Sequence, residues 1–483
     1  MDDRKRVGVG LLGMIAIVFG SMVGGGIFNI AQNMASAAGL GAVVISWLIT
    51  GFGVVFLVLT FKILSDYFPK LNQGIYRYAQ KGFGNYIGFN IAWGYWLCVA
   101  LGNVSLIVML NDSFGAFFPI LLQHGWETIL FCWAIIWLMY ALVIRGVMTA
   151  SFINTIMTIL KFGAVIIIIT LLFVYLNTDL LFSDIWSENY SGDSSSMNGL
   201  HNQIMGTMLV TMFCFVGVEG AVMLAPYAKR QSDIGKASVI GFYCALIIYA
   251  LVSILCYGVR SREELVVMHD PSVAYVLKSV CGDWAYYFVI WTVILSLFSG
   301  LIAWTLLCAE TPYGAALKNM LPKQFLKTNS RNIPAYGLAV SSVFMSLFMF
   351  LVCTAPNVYL ASLNLTTIMV LPAYAFSGAF LWKMTMPNGS LQNQVNSGKL
   401  LKFKIISIIC TIYCIWCIFA GGALLFLATS IFYAIGIWFY YSTWKETKEG
   451  KLLTNWEWVL FGIIIGCSIL SIVLICLGKI SLN

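Results

Sequence analysis

Charge is what this chain has least of: Asp, Glu, Lys and Arg make up 10% of its 483 residues, against roughly 25% in soluble domains. Too few charged groups remain to cover a water-facing surface of that size. Histidine occurs only 3 times, and no His, Cys or acidic cluster has metal-ligand spacing, so neither a metal nor another cofactor is expected and the chain is not read as an enzyme. It has no selectivity-filter run and no ring-forming charged segment, which argues against a channel. No stretch is long and polar enough for a soluble domain, which argues against a receptor. What fills the space instead is hydrocarbon, since 60% of the residues are apolar.

The apolar runs exceed the roughly 20 residues that span a bilayer as a helix, and they recur along nearly the whole chain. Thirteen spans are predicted, near 10–34, 41–65, 86–119, 126–145, 150–176, 203–227, 236–258, 284–310, 335–353, 357–383, 403–420, 422–441 and 455–478. The eleventh and twelfth are separated by little more than Gly421 and Gly422, so twelve is the competing count. The chain reads as one all-α polytopic membrane domain over 1–483, with the lipid bilayer as its solvent. Its first apolar segment is too long for a signal-peptide core and reads as a retained span.

The net charge of +8 does not point to nucleic acid, because of where the cations lie. With the N-terminus inside, 22 of the 27 Lys and Arg fall on the cytoplasmic side, as the positive-inside rule requires. The loop "NTDLLFSDIWSENYSGDSSSMNGLHNQ" has acidic residues and no Lys or Arg, which places it outside. The expected orientation is therefore multi-pass with a cytoplasmic N-terminus, and the expected location is a bacterial cytoplasmic membrane. Most of the 13 cysteines lie in spans, so a disulfide framework is not expected. "CIWC" at Cys414–Cys417 has redox spacing but lacks the βαβ setting of a redox motif. His124, His201 and His269 fall in predicted outer loops and read as solvated. A homodimer is left open.

Two helices are expected to be broken. In the first span "GSMVGGGIFN" places Gly24, Gly25 and Gly26 in succession, each costing roughly 0.8–1 kcal/mol in a helix interior. In the sixth, "MLVTMFCFVGVEGAVMLAPYAKR" sets Gly217 and Gly220 around Glu219. Five spans separate the two starts, so a second unit would enter the membrane from the opposite side. That is the pattern of a five-plus-five inverted repeat, spans 1–5 at 10–176 and 6–10 at 203–383, with extra helices at 403–478. Unwound backbone at membrane depth must line a cavity or lie buried in protein. It offers a positive helix N-terminus to a carboxylate and carbonyl oxygens to an ammonium group. An α-amino acid carries both.

Glu219 and Lys161 are the ionisable residues placed in mid-span, where a charge costs about 2.5–3.5 kcal/mol even on insertion scales. Both are candidate functional residues. Glu219 is suited to change protonation as a pocket opens and closes. Lys161 carries three donors for the carbonyls an unwound turn exposes. Glu310, near the end of the eighth span, reads as solvated and is left out of the site.

Four segments carry a resemblance to a known family: "GSMVGGGIFNIAQNMA", "GFGNYIGFNIAWGYWLCVALGNVS", "FVGVEGAVMLAPYAKRQSDIGKA" and "WTLLCAETPYGAALKNMLPKQF". The chain resembles the amino acid/polyamine/organocation (APC) superfamily over about 440 residues. Within it, the similarity is to the basic amino acid/polyamine antiporters that exchange arginine for ornithine or agmatine. The resemblance implies a secondary active antiporter whose partners are small molecules, an amino acid and an amine, working by alternating access.

The same resemblance implies the substrate site: the unwound turn Ser21, Met22, Gly24, Gly25, Gly26 and Ile27; Tyr95, Cys98 and Asn103 of the third span; Phe213 and Val216 of the sixth; and Trp304 of the eighth. Glu219 is implied as a gating and proton-responsive residue, and Lys161 as the lysine that replaces a bound sodium ion by bridging the first and eighth spans. Two positions depart from the family pattern. Phe213 stands where a tryptophan is usual, leaving a weaker cation–π face for a guanidinium and keeping histidine-for-histamine exchange as the alternative. Ala31 stands where proline is common.

Overall fold

The computed structural model describes residues 8–71, 74–123, 125–186, 197–352, 358–447 and 452–477. The described residues form helices, and the sole β-type contact among them is an isolated parallel bridge between Val9 and Ala228. In chain order the helices are α1 (Leu11–Met22), α2 (Gly26–Ala37), α3 (Leu40–Tyr67), α4 (Tyr76–Phe83), α5 (Asn85–Gly115), α6 (Trp126–Val143), α7 (Val147–Val174), α8 (Thr178–Leu181), α9 (Met197–Phe213) and α10 (Gly220–Met223). They continue with α11 (Gln231–Tyr257), α12 (Arg262–Val266), α13 (Ser272–Cys281), α14 (Asp283–Ala316), α15 (Ala335–Val352), α16 (Val358–Thr385), α17 (Ser397–Ala420), α18 (Ala423–Thr447) and α19 (Asn455–Cys476).

Counting α1 and α2 as one interrupted span, 11 helices are long and apolar enough to cross a membrane. The expected sixth span is divided between α9 and α10, and the ninth corresponds to the shorter apolar stretch of α15. The stretch between the predicted seventh and eighth spans contains α12 and α13, the former opened by a capping box between Ser261 and Glu264. His201 lies within α9, exposed, and not in a loop; His124 lies outside the described residues.

Helix α5 occupies the centre, its membrane-depth stretch wholly enclosed by protein. Helices α14 and α16 pack along it, and α19 is the most peripheral, with most of its surface facing outwards. Lipid offers helices no hydrophobic reason to associate, so packing of small residues and hydrogen bonds between helices must hold the bundle. Both are present. Thr50 and Thr211 share a bond of 2.8 Å, and Thr207 donates to Ser46 at 2.7 Å, fastening α3 to α9. Trp96 Nε1 donates to Ser341 Oγ at 2.7 Å, fastening α5 to α15. Gly102 leaves the space on α5 that the Trp304 ring of α14 fills: a Cβ there would lie 1.8 Å from Cζ3.

The far C-terminal helix is tied to the centre by one carboxylate. Glu457 caps α19 by accepting from Thr454 N at 2.8 Å, and it also accepts from Tyr86 N, in the first turn of α5, at 3.4 Å. A single anion thus serves two helix N-termini, where the macrodipole favours negative charge.

Candidate functional site: two broken spans joined at mid-helix

The first span loses helical geometry over Val23–Gly25 only. Ser21 and Met22 belong to the last turn of α1, and Gly26 and Ile27 to the first turn of α2, so the unwound part is narrower than the sequence suggested. Ala31 sits in regular, buried helix within α2. In the second break Cys214–Glu219 form successive turns, with Gly217 at φ +108° and Glu219 as the N-cap residue of α10. Only glycine tolerates that φ readily.

The two breaks touch. Ser21 Oγ donates to Gly217 O at 3.0 Å and lies within 2.9 Å of Val18 O in its own helix. A Cβ on Gly217 would stand 2.7 Å from that hydroxyl, so close approach as well as φ demands glycine.

Glu219 is 1% exposed and lies beside this junction. Its carboxylate accepts from Tyr95 Oη at 2.7 Å, from Tyr374 Oη, and from the Gly217 amide at 3.1 Å. Tyr95 comes from α5 and Tyr374 from α16, so one buried carboxylate gathers three elements around the second break. Tyr374 was not singled out from sequence. Its setting, "PAYAF", resembles any aromatic in an apolar helix.

The carbonyls of the first break are already engaged. Lys161 Nζ, wholly buried, donates to Gly20 O at 3.3 Å and Val23 O at 2.5 Å. Trp304 Nε1 donates to Ser21 O at 2.9 Å, Tyr249 Oη to Met22 O at 2.9 Å, and Ser296 Oγ to Gly24 O at 2.9 Å with a second approach to Val23 O at 3.2 Å. Each of these oxygens thus already has a side-chain donor. The expected bridge by Lys161 is corrected. Its ammonium bonds to the first span alone, and α14 joins through Ser296 at the shared Val23 carbonyl.

Donors, by contrast, are left over. Among the described residues the amides of Gly25, Gly26 and Ile27, at the N-terminus of α2, make no hydrogen bond. Three free N–H groups and the positive end of a helix form an anion-binding corner. The Phe213 ring closes one side of it, its Cε1 lying 3.4 Å from where a Gly26 Cβ would be.

The remaining predicted residues are placed as follows. Asn103 is buried and engaged within the protein, donating to Val99 O at 3.1 Å and Cys308 Sγ at 3.4 Å, and so fastens α5 to α14. Cys98 is buried beside Glu219 and Cys308, and Val216 is buried within the second break. Glu310 is not solvated: it is 6% exposed and accepts from Tyr227 Oη at 2.5 Å. Its place near the helix end suggested water, but the turn that follows α10 covers it. Nearby, Val9 N donates to Tyr227 O at 2.8 Å and Lys229 N to Val9 O at 2.9 Å, pairing the segment before α1 with the segment after α10.

A bundle of apolar helices, two of them broken and joined at the break around a buried carboxylate, is the architecture of a membrane transporter. A solved structure described as a Na+-coupled sialic acid symporter in a substrate-bound outward-open state shares this fold. It matches with a TM-score of 0.53 and 13% identity, over 88% of this chain and 91% of its own. The chain belongs to the amino acid permease family, whose model matches residues 9–444. An arginine/agmatine antiporter of Chlamydia felis is 36% identical over 453 residues, covering 93% of this chain and 92% of the relative. An arginine/agmatine antiporter of Chlamydia trachomatis serovar D is 35% identical over 491 residues, covering 99% of each.

Proposed function

We propose that this protein is a secondary active antiporter exchanging a basic amino acid for its metabolic product, with arginine and agmatine as the leading pair. The observation that carries the reading is the junction of the two breaks, Ser21 on Gly217, with Glu219 held by Tyr95 and Tyr374, together with the free amides at the N-terminus of α2. The names of the Chlamydia relatives support the choice of pair.

The mechanism follows from that geometry. The amides of Gly25, Gly26 and Ile27 receive the α-carboxylate, and the Phe213 and Trp304 rings flank the rest of the substrate. Glu219 joins α5, α10 and α16 while both tyrosines donate to it. Gain or loss of a proton there changes how many donors it can hold, and so alters the hold among α5, α10 and α16. Exchange results if the empty carrier crosses its barrier slowly and either substrate lowers that barrier. Lys161 supplies side-chain donors to the Gly20 and Val23 carbonyls of the first break, which supports transport without sodium. The five-plus-five repeat, a cytoplasmic N-terminus and residence in a bacterial cytoplasmic membrane complete the proposal, the second supported by the distribution of Lys and Arg and the third by the bacterial relatives.

The test is uptake of radiolabelled arginine into sodium-free proteoliposomes preloaded with agmatine, ornithine, histamine or nothing. Rapid uptake against agmatine is the expected result, with ornithine as the competing counter-substrate. Refusal of arginine, or equal uptake into empty vesicles, would overturn the pair or the exchange respectively.

A further inference from the structure

Away from the two breaks, one half-buried carboxylate with a sealed oxygen has no use in the mechanism. Asp270 lies in the short connection between α12 and α13, outside the membrane-spanning helices, and its Oδ1 is sealed from solvent with no hydrogen-bond partner. Leaving a charged oxygen buried and unpaired is costly. Two residues later Ser272, fully buried, is inserted in the hydrogen-bond ladder of α2: its hydroxyl donates to Phe28 O at 3.2 Å and accepts from Gln32 N at 3.2 Å. Arg262 of α12 donates to Ala35 O at 2.8 Å, so the segment on either side of Asp270 is seated on the second half of the broken first span.

Among the described residues, the groups that act on Asp270 add no cation to offset its charge. From α5 comes Asp112, a like charge whose repulsion adds to burial. From α16 comes Tyr359, a neutral phenol near enough to feel the charge, its own hydroxyl buried and unpartnered. Helix α2 contributes no titratable side chain. On its own connection, the His269 ring lies 6.1 Å from that of Tyr275, while Arg260 pairs with Glu264 and Lys278 with Asp283.

We propose that Asp270 is a proton-binding residue that fastens the α12–α13 connection to α2, so that pH on its side of the membrane sets how freely the second half of the first span can move. With the orientation proposed above, that side is the outside. Burial first, and Asp112 second, raise its proton affinity from the ordinary carboxylate value of 3.8 to about 7. The sign follows. A carboxyl whose pKa is higher in the seated form than when hydrated stabilises seating fully below the hydrated value. That contribution is lost as pH rises towards the seated value. Acid outside therefore holds the connection down on α2, and neutral pH releases it. This deepens the antiport reading by giving it an external control.

Hydrogen–deuterium exchange of segments 26–37 and 268–281, in full-length protein in lipid and corrected for the intrinsic effect of pH, tests the proposal without requiring transport. In the wild type, protection should fall by up to about tenfold per pH unit between about 4 and about 7, then level off. Asp270→Asn, which imitates the protonated form, should remove that dependence, and Asp112→Asn should move the levelling-off to lower pH. A wild-type pH profile retained in Asp270→Asn would overturn the proposal. If that variant does not fold, Asp112→Asn decides, and an unmoved profile overturns it. Failure here leaves exchange in the uptake assay untouched, and failure of exchange leaves this result readable.

Discussion

The Ser21 hydroxyl, in the last turn of α1, donates to the Gly217 carbonyl 3.0 Å away in the second break. This contact joins the two interrupted spans, and Gly217 provides it only because it has no side chain and takes φ +108°. Ser21→Ala should cost about 1 kcal/mol and slow exchange several-fold while the protein still inserts. Gly217→Ala adds positive-φ strain and a clash with Ser21, and should abolish exchange. Exchange kinetics and thermal unfolding of the two variants in detergent check the order.

Tyr95 and Tyr374 share one acceptor, so their effects should not add. Tyr95→Phe and Tyr374→Phe should each reduce exchange, by about 1.5–3 kcal/mol for a bond to a charged group. The double variant should fall short of the sum, because one carboxylate serves both. Glu219→Gln should reduce exchange and flatten its pH dependence. Exchange rates of the four variants across pH make the comparison; full additivity would separate Tyr374 from Glu219.

Lys161→Met should leave the Gly20 carbonyl without its side-chain donor, while Val23 keeps Ser296 at 3.2 Å. A loss of about 1–3 kcal/mol in stability is expected, read as a lower unfolding temperature, together with loss of exchange. Wild-type exchange should be the same with sodium or choline as the external cation; stimulation by sodium would remove Lys161 from the role given to it.

Phe213→Trp should tighten arginine binding a few-fold, since a larger aromatic face over a guanidinium is worth about 0.5–1 kcal/mol at sites of modest desolvation. Competition by unlabelled arginine and histidine measures it. A variant that gains histidine and loses arginine would assign the ring a steric role.

How much of this was legible in the sequence depended on how unusual a residue is for hydrocarbon. Three successive glycines, a glutamate and a lysine in apolar helices stand out because each is costly there, and each lies at or against a break. Tyr374 does not stand out, since an aromatic ring in a span is ordinary and only its hydroxyl's partner, 155 residues earlier, sets it apart. The engagement of the Ser21, Met22 and Gly24 carbonyls was equally hidden, because Trp304, Tyr249 and Ser296 reach them from spans more than 220 residues away. Glu310 was misread for a related reason: position along a helix reports distance to its end, while burial depends on what folds over that end.

The glycines of the first span divide a helix whose halves have different owners. Helix α1 is bound to the segment around α10 at both ends, by Ser21 on Gly217 and by Val9 paired with Tyr227 and Lys229. Helix α2 is bound to α12 and α13 through Arg262 and Ser272. The two sets of bonds lie on opposite sides of Val23–Gly25, the unwound residues that join the halves.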